Sequence, residues 1–423
     1  MQCNKRVKFY TLGCKVNQYE TQAIREKFLY AGFKENNSEI ADVYIVNTCT
    51  VTARADRESR RLIRRLLRSN PDSKIIATGC YIEKDAAKIL SISNKTRIVP
   101  NCQKHLLLES LRDSLNDGKN EAFLPLKISD FKDHERAFVK IQDGCDNLCS
   151  YCKVPLVRGA SRSRSPKEII AEVERLTRRG FKEVVLTGIC LGSYHYRSFD
   201  LVGVLSALEN IEREFRIRLS SIEPQLICDD LIGRIADSEK ICPHLHIPLQ
   251  SGDNKILKRM NRQYTREKYL SLIAKIKKKI KDAAITTDIL VGFPGEEEKS
   301  FRNTLRCLKE VLPLRSHIFS FSPRQGTAAF NLQERVEPGL IKERVSLVRK
   351  AATQCSYKFR KPFSGKQLTV LIESQPDKQR SSFCGYSENY IRVIVENAEK
   401  RDINKLVKVK VKTVDECATK AWI

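Results

Sequence analysis

A unit of strand, cysteine and helix recurs in the first 100 residues of this 423-residue chain, and the repeat constrains the fold more than any other feature. Short β-prone runs at residues 7–12, 43–46 and 74–77 lead to Cys14, Cys49 and Cys80. The cysteines follow each other at intervals of about 35 and 31 residues, the length of a βαβ unit with its crossover. The repeat predicts a doubly wound α/β domain in which three thiols meet at the carboxyl edge of a parallel sheet, where such folds bind ligands.

Two helices are predicted within this repeat. We expect Asn17 to cap the first, with Glu20 three residues later, and Gly32 to close it. The second is expected over residues 53–69, because Pro71 prevents its continuation. Each cysteine alone could be an ordinary buried residue beside a turn, but three in equivalent positions favour a shared ligand.

A second set of cysteines follows a strand-like run at residues 137–141 with the spacing CxxxCxxC: Cys145, Cys149 and Cys152. A zinc site with four ligands is disfavoured, since no second pair lies nearby at zinc-like spacing. Three thiolates in one short loop suit an iron–sulfur cluster that keeps one iron open to a substrate or cofactor.

Further strand-like runs alternate with helical stretches beyond this loop. The strands are expected at residues 184–186, 217–220, 245–248, 285–291 and 316–321, and the clearest helices at 166–179 and 265–280. With the strand before Cys145 they make six βα units. The pattern predicts a partial (β/α)6 barrel whose active mouth lies at the carboxyl ends of its strands.

The overall charge indicates a polyanionic partner. Lys and Arg number 77 against 51 Asp and Glu, a formal net charge of +26, and such a field attracts phosphate backbones, although high charge also serves solubility. Fifteen cysteines, an odd number, do not suit a disulfide scaffold. We find no signal peptide and no apolar run of about 18 residues, so we expect a cytoplasmic protein that does not enter a membrane.

CxxxCxxC after a strand resembles the signature of radical S-adenosylmethionine enzymes, and the whole chain resembles the methylthiotransferases of that superfamily. The segments that carry the resemblance are VRG at 157–159, SRSR at 161–164, SSIEP at 220–224, HIPLQSG at 246–252, MNR at 260–262 and DILVGFPGE at 288–296. The resemblance implies an N-terminal methylthiotransferase domain at residues 1–115, a radical core at 131–361 and a small TRAM-like β-barrel at 364–423.

The resemblance also implies the cofactors, two 4Fe-4S clusters and S-adenosyl-L-methionine. Cys14, Cys49 and Cys80 correspond to ligands of the auxiliary cluster, and Cys145, Cys149 and Cys152 to ligands of the radical-generating cluster. Gly188, Ser221 and Glu223 correspond to the adenosylmethionine pocket. Gly188 has the alternative role of a simple turn, and Glu223 that of a partner for an arginine. Cys190 and His195 depart from the family pattern, and we interpret both as neutral substitutions.

The implied reaction uses two adenosylmethionines, one to methylate sulfur at the auxiliary cluster and one to generate the radical that removes hydrogen from the target carbon. An electron donor and a sulfur source, neither identified by the sequence, are implied partners. Family targets are tRNA adenosines with an isopentenyl or threonylcarbamoyl group, or an aspartate of a ribosomal protein. GCKVNQYET at 13–21 and NTCTVT at 47–52 resemble the threonylcarbamoyl branch, which implies methylthiolation at C2 of N6-threonylcarbamoyladenosine 37. A non-enzymatic RNA-binding protein with structural metal sites is the alternative from another class.

Clusters of basic residues suggest where tRNA would bind. The helix after Cys49 is rich in arginine, and we expect phosphate contacts from Arg57, Arg61, Arg64 and Arg68; the alternative is pairing with acids such as Asp56 and Glu58. A guanidinium fork matches a carboxylate. The candidates for binding the threonylcarbamoyl carboxylate are Arg158, Arg162 and Arg164. Strands at residues 367–372, 390–395 and 405–412 are expected to form the basic C-terminal barrel.

Overall fold

The fold is known from a computed structural model, which describes residues 5–36, 40–112, 123–124, 126–374 and 382–423. The three domain boundaries given above stay predictions; residues 1–4, 37–39 and 113–115 of the first domain and 375–381 of the third lie outside the described residues. Among the described residues, no helix combines the length and the apolar character required to cross a bilayer.

The N-terminal region alternates strands and helices. Its elements are β1 (Arg6–Thr11), α1 (Lys15–Tyr30), β2 (Lys34–Glu35), β3 (Val43–Thr48), α2 (Ala53–Ser69), β4 (Lys74–Gly79), α3 (Ile82–Leu90) and β5 (Arg97–Ile98). All five strands pair in parallel in the order β2-β1-β3-β4-β5. This order confirms the doubly wound sheet and places its topological switch point between β1 and β3, where such sheets bind ligands.

The structure confirms the predicted bounds of one helix and corrects the predicted N-cap of the other. Helix α2 has the predicted bounds, with Thr52 as its N-cap. Helix α1 begins directly after Cys14, so the prediction that Asn17 caps it is wrong. The Asn17 side chain is buried and donates hydrogen bonds to the carbonyl oxygens of Leu12 and Thr48, at 2.8 and 3.0 Å. Asn17 therefore ties together the chain segments at the ends of β1 and β3.

The central region contains six parallel strands and their crossover helices. Its elements are β6 (Arg136–Lys140), β7 (Gln142–Asp143), α4 (Val154–Arg158), β8 (Arg162–Ser163), α5 (Pro166–Arg178), β9 (Glu183–Thr187), β10 (His195–Tyr196), β11 (Phe199–Asp200), α6 (Leu201–Glu209), β12 (Arg216–Leu219), α7 (Asp229–Asp237), β13 (His244–His246), α8 (Asn254–Arg259), α9 (Arg266–Lys279), β14 (Ala284–Val291), α10 (Glu298–Val311), β15 (Arg315–Ser320) and α11 (Pro338–Arg360). Strands β6, β9 and β12 form one half of a partial barrel, and β13, β14 and β15 form the other. Parallel bridges from Ile217 to Ile241 and from Ser221 to His246 join the halves, which confirms the partial (β/α)6 barrel.

The two faces of these six strands differ in polarity because side chains alternate along a strand. One face is apolar and belongs to a continuous core with the helices; it includes Val139, Leu186, Leu219, Leu245 and Ile285. The other face, which we call the inner face, carries polar and charged groups. Its members include Arg136, Glu183, Arg218, His244, His246, Thr286, Asp288, Arg315 and His317.

The C-terminal region is a closed five-stranded barrel. Its strands are β16 (Gln367–Glu373), β17 (Phe383–Ser387), β18 (Arg392–Val395), β19 (Leu406–Val414) and β20 (Thr419–Trp422). Strands β16, β18 and β19 were expected, whereas β17 and β20 were not. Arg216 and Arg218 of β12 donate hydrogen bonds to backbone carbonyls of this barrel, at 2.7–3.1 Å. The barrel therefore packs at the amino ends of the central strands, away from the CxxxCxxC loop.

Candidate active site

Three thiols follow β1, β3 and β4 at the carboxyl edge of the N-terminal sheet, as the repeat predicts. Cys49 and Cys80 are buried and Cys14 is half-buried. Burial raises the pKa of the Cys49 thiol to about 12, and the nearby Cys14 and Cys80 thiols act in the same direction. The sheet thus brings together three thiols from three separate crossovers, and a bound cation would favour their thiolate forms.

A glycine with a left-handed backbone conformation precedes a cysteine at two of these positions. Gly13 has φ +96°, and a Cβ at this position would lie 2.5 Å from the Sγ of Cys49. Gly79 has φ +99°, and its Cβ would lie 2.3 Å from the carbonyl oxygen of Thr48. Only glycine fits such positions, so the sequence Gly-Cys is a steric requirement for bringing the thiols close.

The CxxxCxxC thiols occupy the loop that follows β7. Burial raises the pKa of the Cys152 thiol to about 12 and also raises that of Cys149. The pKa of Cys145 is lowered to about 7, chiefly by a hydrogen bond from Cys190. The Sγ of Cys190 also accepts from Asn147 Nδ2 at 3.7 Å. Cys190 therefore contacts the loop that carries the motif, and its interpretation as a neutral substitution stays a prediction.

His195 lies in the short β10–β11 hairpin and is exposed. Its backbone N–H donates to Ser163 Oγ at 2.9 Å. Nothing in its surroundings conflicts with a neutral substitution, which stays a prediction.

Arg262 links this loop to the predicted adenosylmethionine residues. Its Nη1 donates to Cys149 Sγ at 3.3 Å, and both terminal nitrogens pair with the carboxylate of Glu223. Glu223 thus pairs with an arginine, one of the two roles open to it, and its place in the adenosylmethionine pocket stays a prediction. Arg262 belongs to the MNR segment, but nothing in its sequence position indicates a contact with Cys149, which is 113 residues away.

Gly188 and Ser221 lie beside the same loop. A Cβ on Gly188 would lie 2.8 Å from Gln142 Oε1, which accepts a hydrogen bond from the Cys190 backbone. Gly188 is thus required for close packing, besides the predicted role near adenosylmethionine. The backbone of Ser221 pairs with that of His246 where the two halves of the barrel meet.

The chemistry of the two thiol sets suits iron–sulfur clusters. Within the described ranges, no three His, Cys, Asp or Glu side chains are arranged to hold one metal ion. An iron–sulfur cluster is held by cysteine thiolates alone, as each of these sets could do. The set that follows β7 offers three thiolates, which leaves one iron of a 4Fe-4S cluster without a protein ligand.

A buried network of charges joins the two sets. Arg158 of α4 donates from Nε to Cys80 Sγ at 3.2 Å, and from Nη1 to Glu20 at 2.8 Å and to Asp143 at 3.0 Å. Lys140 pairs with the same two carboxylates at 2.7 and 2.6 Å. Because Asp143 is two residues before Cys145, this network connects the surroundings of one thiol set to those of the other.

The positions of two of the three arginines predicted to bind the threonylcarbamoyl carboxylate correct that prediction. Arg158 and Arg164 are buried, and Arg164 pairs with Glu172 at 2.9 Å. Their guanidinium groups have internal carboxylate partners, so neither is available to a carboxylate on tRNA. Arg162 is partly exposed, lies 4.0 Å from Asp143 and donates to the carbonyl oxygen of Arg158.

The arginines of α2 remain at the surface. Arg57, Arg61, Arg64 and Arg68 are exposed, and none forms an ion pair with any residue that the structure describes. The acids proposed as their alternative partners are occupied: Glu58 pairs with Arg54 at 2.7 Å, and Asp56 pairs with Arg324 at 2.6 Å. A contact between these arginines and RNA stays a prediction.

Two family models and a solved structure show the class of enzyme to which this chain belongs. A family model described as the Radical SAM superfamily matches residues 139–308, and one described as Uncharacterized protein family UPF0004 matches residues 6–100. The radical S-adenosylmethionine methyltransferase TsrM of Kitasatospora setae has a similar fold, with a TM-score of 0.58 and 12% identity over 78% of this chain and 77% of that protein. Together with the CxxxCxxC loop in a partial barrel, these matches define a radical S-adenosylmethionine enzyme.

Full-length relatives define the family. The chain is 38% identical to the threonylcarbamoyladenosine tRNA methylthiotransferase of Bacillus subtilis, over 96% of this chain and 93% of the relative. It is 36% identical to the enzyme of that name from Thermotoga maritima, over 92% and 91%. It is 34% identical to tRNA-2-methylthio-N(6)-dimethylallyladenosine synthase of Clostridium botulinum, over 95% and 93%. The chain belongs to the family of radical S-adenosylmethionine tRNA methylthiotransferases.

Proposed function

We propose that this enzyme adds a methylthio group to C2 of N6-threonylcarbamoyladenosine 37, next to the anticodon of tRNA. The observation that carries the proposal is the pair of three-thiol sets, one at the carboxyl edge of each parallel sheet, joined through Arg158 and Asp143. Two clusters held in one site match a reaction that needs both a radical and a sulfur donor. The threonylcarbamoyl substrate is favoured over the isopentenyl one because the relatives of that name are more similar, at 35–38% against 33–35% identity.

The proposed ligands are the six cysteines. Cys14, Cys49 and Cys80 would hold the auxiliary 4Fe-4S cluster, and Cys145, Cys149 and Cys152 the radical-generating cluster. When bound, the clusters and S-adenosyl-L-methionine would supply the radical and transfer the methylthio group, with the electron from the electron donor and the sulfur from the sulfur source, chemistry that acid–base side chains cannot provide. Gly188, Ser221 and Glu223 are proposed to border the adenosylmethionine site.

The chain's own residues position these groups. Arg158 donates to Cys80 and Arg262 donates to Cys149, so each thiol set receives one buried guanidinium. Hydrogen bonds to cluster sulfurs tune clusters of this kind and orient their ligands. Glu223 holds Arg262 in place through a two-point ion pair.

The tRNA is proposed to lie across α2 and the mouth of the barrel. The formal charge of +26 supplies the attraction to a phosphate backbone. Lys408, Lys410 and Lys412 of β19 are exposed while Val409 and Val411 between them are buried, so the C-terminal barrel also presents a basic face. Such faces give affinity for RNA without reading its sequence.

Mass spectrometry of tRNA nucleosides tests the proposal in cells. A strain that lacks this gene should accumulate threonylcarbamoyladenosine and lose its methylthio derivative, and the gene restored on a plasmid should reverse both changes. The Cys149→Ala form should not. Loss of a methylthio derivative of isopentenyladenosine instead would reassign the substrate, and unchanged tRNA would show that the substrate is not tRNA.

A further inference from the structure

A segment between β15 and α11 contacts the surroundings of both thiol sets, and the assignments above leave it without a role. Residues 321–330, which we call the bridging segment, directly follow β15 at the carboxyl ends of the central strands. Arg324 and Thr327 of this segment are buried, although the residues on either side of each are exposed. A buried arginine requires partners for its charge, and those of Arg324 lie in the N-terminal region.

Arg324 reaches the loop that follows Cys49. Its Nη2 donates to the carbonyl oxygen of Thr50 at 3.0 Å, to Thr50 Oγ1 at 2.7 Å and to Asp56 Oδ2 at 2.6 Å. Thr50 Oγ1 in turn donates to Asp56 Oδ1 at 2.7 Å. Thr50 follows Cys49 directly and Asp56 lies in the first turn of α2. One nitrogen atom therefore holds the chain on the carboxyl side of Cys49.

The other end of the bridging segment contacts the CxxxCxxC loop. The backbone N–H of Ala329 donates to the carbonyl oxygen of Ser150 at 2.7 Å, and Ser150 directly follows Cys149. Thr327 closes the turn between the two contacts, because its N–H and its Oγ1 both donate to the carbonyl oxygen of Arg324, at 3.1 and 2.7 Å. The bridging segment thus connects a residue next to Cys49 to a residue next to Cys149.

Two arginines of the central region hold the thiol edge of the N-terminal sheet, each beside a different cysteine. Arg158 donates directly to Cys80 Sγ, so its loss would alter a thiol contact and the position of the sheet together. Arg324 differs, because its hydrogen bonds within the part of the chain that the structure describes go to Thr50 and Asp56 and not to a thiol. Substitution of Arg324 therefore affects where the Cys49 loop lies and removes no group from either thiol set.

We propose that Arg324 is a positioning residue for methylthio transfer. It holds the Cys49 loop, and with it the auxiliary thiol set, at one fixed place relative to the radical-generating set. The proposal rests on the proposed function, in which the radical and the methylthio group must reach the same carbon from different thiol sets. A misplacement of about 1 Å can cost about a hundredfold in rate. Loss of Arg324 thus uncouples radical formation from methylthio transfer while both thiol sets stay loaded.

The experiment measures two products of the reconstituted holoenzyme under single-turnover conditions with threonylcarbamoylated tRNA. Arg324→Gln should form 5′-deoxyadenosine at close to the wild-type rate, with a thiol reductant in the buffer supplying the hydrogen atom. Its yield of methylthiolated nucleoside should fall by roughly tenfold to a hundredfold. Arg324→Lys should recover most of this product, because all three hydrogen bonds use one nitrogen and an ammonium group has three donors.

Two further variants complete the comparison. Asp56→Asn removes the charge on the other side of the contact and should uncouple the products in the same way, which keeps the test decisive if Arg324→Gln does not fold. Lys132→Gln is the matched control, because Lys132 pairs with Glu35 at 2.9 Å and so also joins the central and N-terminal regions. Glu35 lies opposite Val7 near the start of β1, away from the thiol edge. This variant should keep the wild-type ratio of the two products.

Pulsed electron paramagnetic resonance measures the distance between the two reduced clusters and so tests their relative position directly. Wild type and Lys132→Gln should give the same narrow distribution of distances, and Arg324→Gln a broader or longer one at unchanged iron content. An unchanged distribution or an unchanged product ratio in Arg324→Gln would overturn the proposal. Loss of iron from this variant would also overturn it, since Arg324 would then be required for cluster binding.

The outcomes separate this proposal from the proposed function. A wild-type enzyme that holds one cluster only, or that forms no methylthiolated nucleoside from tRNA, contradicts both. A wild-type enzyme that holds two clusters and forms the product, with a product ratio that Arg324→Gln retains, contradicts only the positioning role of Arg324.

Discussion

Arg158 Nε donates a hydrogen bond to Cys80 Sγ over 3.2 Å, which connects a side chain of the central barrel to a thiol of the N-terminal sheet. The same guanidinium pairs with Glu20 of α1 and with Asp143 beside the CxxxCxxC loop. All four groups are buried. One side chain therefore supports both thiol sets and the contact between the regions that hold them.

Replacing Arg158 should destabilise the protein strongly. Arg158→Met leaves the carboxylates of Glu20 and Asp143 buried with one cation fewer. Removing one partner of a buried ion pair costs about 3–5 kcal/mol of folding stability. Anaerobic urea unfolding of the loaded enzyme measures the loss. Arg178→Met, which removes an exposed arginine paired with Glu174, is the control and should cost under about 1 kcal/mol. Equal stability of the two variants would show that the Arg158 network contributes nothing.

The two thiol sets should load independently, because they lie on different sheets and share no cysteine. Cys49→Ala should lose about half of the bound iron yet still cleave adenosylmethionine reductively. Cys149→Ala should lose a similar share of iron and all of the cleavage. Iron assay and chromatographic detection of 5′-deoxyadenosine measure the two effects. If both variants lost cleavage to the same extent, the assignment of separate roles would fail.

Gly79 offers a steric test of the auxiliary site. A Cβ there would lie 2.3 Å from the Thr48 carbonyl oxygen, so Gly79→Ala must displace the backbone next to Cys80. We expect this variant to lose about half of its iron, as Cys49→Ala does. Gly180→Ala is the matched control, since Gly180 has φ +97° but open space around the added Cβ. It carries only the backbone strain of about 1 kcal/mol, and its iron content should stay at the wild-type level. Full iron loading of Gly79→Ala would contradict the account.

The positions of both thiol sets and the bounds of helix α2 could be predicted from the sequence, because each depends on the strand, loop or cap next to it. Parallel strands of similar length place Cys14, Cys49 and Cys80 at one edge whatever the details of packing. Helix α2 has its predicted bounds because Thr52 caps it and Pro71 prevents its extension. The CxxxCxxC spacing likewise keeps its three thiols within one loop.

Partners distant in sequence could not be predicted in this way. Arg158 and Arg164 look like free cations in the sequence, but their partners Glu20 and Glu172 come from other elements and bury them. The sequence position of Asn17 is typical of a helix cap, but its side chain donates a hydrogen bond to the carbonyl oxygen of Thr48 on β3. Strand β20 reads Thr-Lys-Ala-Trp, in which Lys and Ala do not favour a strand, and it forms by pairing with β18 and β19.

The arginine face of α2 should bind tRNA phosphates. Arg61→Ala combined with Arg64→Ala should weaken tRNA binding and reduce the slope of log K against log salt by about one unit per lost phosphate contact. Fluorescence anisotropy at several salt concentrations gives the slope. Arg302→Ala combined with Arg306→Ala, two exposed arginines of α10, is the control with the same loss of charge. An unchanged slope, or an equal change in both double variants, would argue against a specific contact at α2.

The central claim is that the threonylcarbamoyl group on tRNA defines the substrate. The most direct measurement incubates the reconstituted enzyme with three full-length tRNAs, which carry at position 37 unmodified adenosine, threonylcarbamoyladenosine or isopentenyladenosine, and analyses the nucleosides by mass spectrometry. We expect a methylthio product from the threonylcarbamoylated tRNA and none from the other two. A product from the isopentenylated tRNA alone, or from none of the three with a ribosomal protein modified instead, would contradict it.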